Sequence, residues 1–395
     1  MIEDQKGKIL TALAESIDIS DANYQAAESK YHSLGEWLSD QSKSKIARYK
    51  PHVFPQGSFR LGTATKPWKR DDYDLDLVCK LQEGITATTH TQADLKQMVG
   101  ADLETYRNER KMQQKLEEKH RCWRLKSEER LKFHLDTVPC IRHTDSVWKA
   151  IQQRMIQAGM SNLLAQDLAQ LAVAITDDRH PLYRRISEDW QISNPEGYAR
   201  WFESRMRLAD SLLKARALQA NVARVDDLPA YRWKTPLQMA IQILKRHRDV
   251  MFEKAPERKP ISIIITTLAA VAYRGEFELL DALEQILSSM SVGTSRPRVP
   301  NPVNPVEDFA DRWGTQEGRQ LRLEDNFIVW LEKAKSDIYK VTSITDRSSL
   351  QDHATKLFGV TLGDAVLTSI IGSGPRVSSS PAVHVIRDAP KPWCR

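Results

Sequence analysis

Apolar residues recur three to four apart through the first fifty positions, at Ile9, Leu10, Leu13 and Ile17 and again at Tyr31, Leu34, Trp37 and Leu38. That spacing predicts helices, which we expect to brace two lobes. The period changes at Tyr73, where Tyr73, Leu75 and Leu77 alternate with Asp74 and Asp76, the signature of a strand. A second alternation, Leu131, Phe133 and Leu135 against Lys132, His134 and Asp136, predicts another strand within Leu131 to Ile141, ended by Pro139. Between the two, Gln92 to Arg130 is dense in Glu and Lys at pairing distances and predicts one or two solvent-facing helices, a solvated arm.

Helix periodicity returns from Ser146 to Thr176, and Ile192 to Phe202 marks a turn into another helix after the chain has left the sheet. Thr235-Pro236-Leu237-Gln238 is a capping box with proline at the first helical position, opening a helix through Ile241, Leu244 and Arg248 toward Phe252. Further helices are expected over Ile261 to Tyr273, Phe277 to Met290 and Val306 to Tyr339, with the proline cluster Arg296 to Asp308 as a rigid loop. After Gly372 periodic apolar residues run out, and we expect a flexible tail. No internal repeat stands out.

The expected fold class is therefore α+β, strands in the first part and helices after them. At 395 residues the chain suits two domains, or one large domain with a helical annex. We divide it into a sheet-bearing core with its N-terminal bracing helix (1–185), a helical lobe (186–371) and a tail (372–395).

Composition narrows the function class. A net charge of +6 is modest for this length, which favours phosphate or nucleotide ligands over an obligatory nucleic-acid partner. The start, MIEDQKGKILTALAES, lacks a secretory pattern, and the most apolar stretch, Ile261 to Tyr273, is too short for a membrane span. Cys79, Cys122, Cys140 and Cys394 form no CxxC pair, so neither a disulfide framework nor a zinc site is expected, and a reducing cytoplasm is the expected location.

Candidate chemistry gathers in one segment. Gly57-Ser58 stands ahead of Asp72, Asp74 and Asp76, which share a strand face. Crowding carboxylates there costs self-repulsion unless a cation sits among them. An EF-hand loop also carries spaced aspartates, but Leu75 and Leu77 fill the intervening positions and the loop's glycine is missing. Nucleotidyl transfer needs such a cluster, because metal ions both activate a hydroxyl and neutralise the pyrophosphate that leaves. Asp136, on its own strand, is the candidate third carboxylate and the group that accepts the hydroxyl proton. Glycine at 57 lets backbone approach a triphosphate and Ser58 donates a hydroxyl; Lys66, Lys69 and Arg70 are nearby cations, equally readable as exposed surface. Lys245 lies beside the apolar stripe of its helix, within reach of phosphate. Tyr198 and Trp201 could stack on a base, though core packing is the expected role.

In this order, Gly57-Ser58, Asp74-Leu75-Asp76-Leu77 and His134-Leu135-Asp136-Thr137-Val138-Pro139 resemble the motifs of polymerase-β-like nucleotidyltransferases. More narrowly, QGSFRLGT and HLDTVPCI resemble the bacterial cGAS/DncV-like nucleotidyltransferases (CD-NTases), and the segments around TPLQMAIQILKRHRD, Ser262 and NPVNPVEDFADRW resemble that family's helical lobe. The resemblance implies a polymerase-β-like nucleotidyltransferase core, a mixed sheet flanked by helices with a helical second lobe, in which Asp74, Asp76 and Asp136 hold two Mg2+ ions, with Mn2+ as a substitute. It implies that Gln56, Gly57 and Ser58 grip the donor triphosphate, and that Lys245 and Ser262 contact phosphates from the second lobe. Asp71 and Asp72 crowd the usual pair, leaving Asp72 with Asp74 as an alternative metal pair.

By that analogy the chain joins ATP, GTP or other nucleoside triphosphates into a cyclic di- or trinucleotide. The product would activate a separate effector protein in anti-phage (CBASS-type) signalling, and a regulatory partner would act on the C-terminal tail. The competing reading is a linear synthase or tailing polymerase of the 2′-5′ oligoadenylate, poly(A) or CCA-adding type.

Overall fold

A computed structural model of the chain describes residues 2–69, 72–127, 133–207, 234–291 and 298–372. The expected tail, Arg70 and Asp71 lie outside these. The strands are β1 (Pro51–Pro55), β2 (Tyr73–Leu81), β3 (Glu117–Glu118), β4 (Trp123–Ser127), β5 (Phe133–Arg142), β6 (Val173–Ile175) and β7 (Gln191–Ser193). They form one mixed sheet in the order β1-β2-β5-β4-β3, with β6 joined to the later part of β5 and β7 to β6. Only β2 and β5 run parallel; every other pairing in this sheet is antiparallel.

Alternation explains β2 and β5. Tyr73, Leu75, Leu77, Phe133 and Leu135 turn one face into the core, which leaves the acidic positions on the other. β5 runs through Pro139 instead of ending there. Its pairing with β4 covers Phe133 to Thr137 and its pairing with β6 begins at Cys140, so the proline falls where β5 changes neighbours and a ladder N–H is dispensable.

The helices preceding β6 are α1 (Ile2–Ile17), α2 (Asp21–Ser39), α3 (Gly57–Arg60), α4 (Gln92–Glu109), α5 (Asp145–Gln157) and α6 (Asn162–Ala169). α7 (Pro195–Met206), α8 (Pro236–Met251), α9 (Ser262–Ala272) and α10 (Leu279–Ser289) follow. The described residues end with α11 (Gln316–Gln320), α12 (Leu323–Thr342), α13 (Arg347–Phe358) and α14 (Asp364–Ile371).

Among the described residues, two large apolar cores result. One lies between the sheet, α2 and α4; the other gathers α8, α9, α10, α12 and α13 around Ile241, Leu244, Phe327 and Trp330, and draws in α1, α5 and α6. Tyr198 and Trp201 are buried in that second core, and the Tyr198 hydroxyl lies 2.8 Å from Thr267 Oγ1. Packing, as expected, is their role.

Three further expectations fail. The Gln92 to Arg130 region is no solvated arm: Leu95, Val99, Leu103 and Tyr106 bury one face of α4, Gly100 lies against Trp123, and β3 and β4 follow. Paired charges marked only the outer face of that helix. The chain has not left the sheet by residue 176, since β6 and β7 extend it. The proline cluster and the start of the Val306 to Tyr339 helix are instead a hairpin of β8 (Pro300–Asn301) and β9 (Asn304–Asp308), with α11 and α12 beyond it.

Candidate active site

Strand register builds the acidic half of the site. Asp76 pairs with Asp136 and Asp74 with His134 across the parallel β2–β5 ladder, so the three aspartates converge without any loop to place them. Asp74 is exposed, whereas Asp136 is largely covered, its side chain 15% accessible. Burial, together with Asp136 and Asp74 nearby, pushes the Asp76 carboxyl up to about 7.

Gly57 is packed against that carboxyl. It sits at φ +64°, and a Cβ there would fall inside van der Waals contact of Asp76 Oδ2 and 3.1 Å from its Cγ. Both facts demand glycine. The preceding residue, Gln56, donates its backbone N–H to Asp76 O at 2.8 Å, which ties the Gly-Ser turn to the acidic strand. Ser58 follows in α3 and lines a cavity of about 660 Å3.

Asp72, just ahead of β2, Asp74, Arg124 and His134 line the same cavity from the sheet side, and Lys245, Arg248, Ser262 and Lys259, between α8 and α9, from the helical side. Asp76 and Asp136 stand behind this wall. Arg124 covers Asp136 with a bidentate fork, Nε to Oδ1 at 2.7 Å and Nη2 to Oδ2 at 2.6 Å, and lies 3.8 Å from Asp74. Asp72 is held by His134, Nε2 to Oδ2 at 3.0 Å, while His134 Nδ1 is 3.3 Å from Asp74.

On the helical side, one face of α8 reaches the chain between Leu61 and Lys66. Gln238 donates to Leu61 O at 3.0 Å, Gln242 to Ala64 O at 2.7 Å, and Lys245 to Thr63 O at 2.9 Å; Arg246 donates to Lys66 O. Burial and the neighbouring Arg248 push the Lys245 ammonium down to about 7. Ser262, the first residue of α9, accepts a 2.9 Å hydrogen bond from Arg248 Nη1. Lys66 lines the cavity but donates to Ser16 O, and Lys69 pairs with Glu253.

Sequence reasoning missed Arg124 and Arg248. Arg124 could have been found from the alternation Trp123, Leu125 against Arg124, Lys126, had the surrounding charge not been assigned to a helical arm. Arg248 was seen only as a helix position.

Among the described residues, no three His, Cys, Asp or Glu side chains stand in metal-holding geometry, and Asp136 turns both oxygens to Arg124. The donor set nevertheless suits a divalent cation. Three carboxylates from two strands crowd one sheet face, and burial beside the other two makes the innermost, Asp76, resist ionisation. Among the same residues, no helix is long and apolar enough to cross a membrane.

Residues 51–140 match the family model described as "Cyclic GMP-AMP synthase DncV-like, nucleotidyltransferase domain". A c-di-GMP synthase of Roseivirga ehrenbergii is 29% identical over 310 residues, covering 77% of this chain and 72% of that protein. The cyclic dinucleotide synthase CdnG of Bradyrhizobium diazoefficiens is 24% identical over 339 residues, 80% of this chain and 72% of its own. The structure of that CdnG with GTP superposes with a TM-score of 0.59 at 20% identity, covering 93% of this chain and 98% of the other. A mutant of the Vibrio cholerae di-nucleotide cyclase DncV with ATP and GTP gives 0.53 at 16% identity, over 93% and 89%. The fold is the one these proteins share, a mixed sheet flanked by helices with a helical second lobe.

Proposed function

We propose that this chain, a DncV-like nucleotidyltransferase of the CD-NTase family, joins nucleoside triphosphates into a cyclic oligonucleotide messenger that acts on a separate effector in anti-phage defence. The observation that carries the reading is the parallel register that sets Asp76 beside Asp136 with Gly57 closed against Asp76. The relatives' names, c-di-GMP synthase and cyclic dinucleotide synthase, favour a product of two nucleotides.

In this reading Asp74, Asp76 and Asp136 hold divalent ions, a pair of Mg2+ replaceable by Mn2+. Bound there, the ions supply the positive charge that acidifies the attacking hydroxyl and stabilises the departing pyrophosphate. His134 reaches both Asp72 and Asp74, at 3.0 and 3.3 Å, and Asp74 with Asp76 is the pair we favour because both lie on β2 while Asp72 precedes it. An acceptor ribose hydroxyl attacks the donor α-phosphorus, a new P–O bond forms, and the bond to the β-phosphate oxygen breaks as pyrophosphate leaves. Asp136 takes the hydroxyl proton. Gln56, the backbone of Gly57 and the hydroxyl of Ser58 position the donor triphosphate.

Lys245 and Ser262 approach the phosphates from the helical lobe. Lys245 exchanges the neutral Thr63 carbonyl for an anionic oxygen, and the phosphate's charge restores its ammonium. A second transfer by the same groups closes the ring.

The test is mass spectrometry of the product formed from all four nucleoside triphosphates with Mg2+, before and after phosphatase. A phosphatase-resistant cyclic product, absent in a D74A/D76A protein that still folds, is expected. Linear, phosphatase-sensitive chains would replace this reading with a linear synthase. Unchanged turnover in the double variant would refute the site.

A further inference from the structure

The geometry points to Arg124 as a stand-in cation that holds Asp136 until a divalent ion and a nucleoside triphosphate arrive together, so that metal binding depends on nucleotide. This rests on the metal-dependent reading above. Cross-strand register sets up a row of three, Asp76 beside Asp136 on β2 and β5, and Asp136 beside Arg124 on β5 and β4. The guanidinium spends its fork on both oxygens of Asp136, at 2.7 and 2.6 Å, and leans toward Asp74 at 3.8 Å. It thus claims lone pairs that a divalent ion would need.

Position supports displacement. Arg124 is part of the cavity wall while Asp136 lies behind it, and the arginine side chain is 26% exposed, so it can swing into the cavity without moving β4. Charge supports dependence on nucleotide. Metal ions entering with the guanidinium in place would crowd positive charge around one strand face, and a guanidinium leaving alone would surrender a bidentate ion pair for water. A triphosphate in the cavity offers the displaced guanidinium anionic oxygens and balances the ions. Metal and nucleotide then each favour the other's binding, and the coupling is reciprocal. A lysine at 124 would keep the charge but lose the fork.

The test is Mn2+ binding by electron paramagnetic resonance, with and without α,β-methylene ATP or GTP, which cannot be cleaved at the α-phosphorus. Chelation by the analogue alone is subtracted. For the wild-type chain, the analogue should tighten Mn2+ binding by about tenfold or more, within the usual range of such couplings. In R124Q, nucleotide-free Mn2+ should bind about tenfold tighter and the nucleotide effect should shrink toward twofold. R124K should fall between. K126Q removes the same charge from the same strand without touching Asp136, since Lys126 pairs with Glu117. It should leave the coupling as in wild type, and thermal melts establish that each variant folds.

Wild-type coupling persisting in both R124Q and R124K overturns the proposal, as does a K126Q effect equal to that of R124Q. A wild-type chain that takes up no Mn2+ even with the analogue would overturn the metal-dependent reading itself.

Discussion

The acidic sheet face and the basic face of α8 confront one cavity but are assembled by different means. Asp74, Asp76 and Asp136 are placed by backbone pairing: once β2 and β5 lie parallel in register, the carboxylates have little freedom to separate. Lys245 and Arg246 are placed by side-chain reach, ending on the backbone carbonyls of Thr63 and Lys66. A ladder cannot be exchanged for a ligand, whereas a bond from an ammonium to a neutral carbonyl can be replaced by a stronger one to phosphate. The sheet side is therefore preorganised to hold charge, and the helical side is poised to receive it.

The largest test of this contrast removes charge from the sheet. D76N should lower turnover by on the order of 10³-fold or more, the scale seen when a group that stabilises developing charge is lost. It should also stabilise the metal-free protein at pH 8. The folded chain holds the Asp76 proton up to about 7, against 3.8 in the unfolded chain, so ionising Asp76 above that window costs folding free energy. Urea unfolding of both proteins at pH 5 and pH 8, without metal, should reveal a gain of roughly 4 kcal/mol at pH 8 and less than half of that at pH 5.

Next in size is G57A. The left-handed backbone and the approach of Asp76 both oppose a methyl group, and the cost in stability should be about 1–3 kcal/mol. Turnover should fall further than that loss implies, because the methyl pushes on the carboxylate itself; steady-state kinetics and thermal melting measured together separate the two effects.

A smaller effect is expected from the helical side. K245M should raise the KM for nucleoside triphosphate about tenfold, as loss of one charged hydrogen bond does, while changing kcat less. The same residue gives a stability trend opposite to that of Asp76. Its folded value near 7 lies below the 10.5 of the unfolded chain, so charging the buried ammonium is a cost that fades as pH rises from about 7 toward 10.5. K245M should flatten the stability profile of the nucleotide-free protein above pH 7, measured by denaturant unfolding. A slope unchanged by K245M would contradict the buried placement of the ammonium.

The same contrast governs what could be read from the sequence. The carboxylates were visible because a two-residue period fixes a face, and the alternation around Asp74, Asp76 and Asp136 is unbroken. The α8 cap was visible because Thr235, Pro236 and Gln238 satisfy local hydrogen bonds, and both halves of the capping box form. Arg124 was not, since β4 is only five residues long and lies in a charge-rich stretch behind a real helix. Its meaning comes from lying opposite Asp136 in the sheet. The contacts of α8 with the chain between Leu61 and Lys66 join residues 177 to 182 positions apart, and no local pattern encodes such a pairing.

The most direct measurement is a crystal structure with Mn2+ and an α,β-methylene nucleoside triphosphate, with the metal located by its anomalous scattering. The account predicts anomalous peaks touching Asp74, Asp76 and Asp136, with the analogue's phosphates beside Gly57 and Ser58. Bound nucleotide with Mn2+ at none of these three carboxylates, or with Asp136 still forked to Arg124 and remote from the metal, would contradict it.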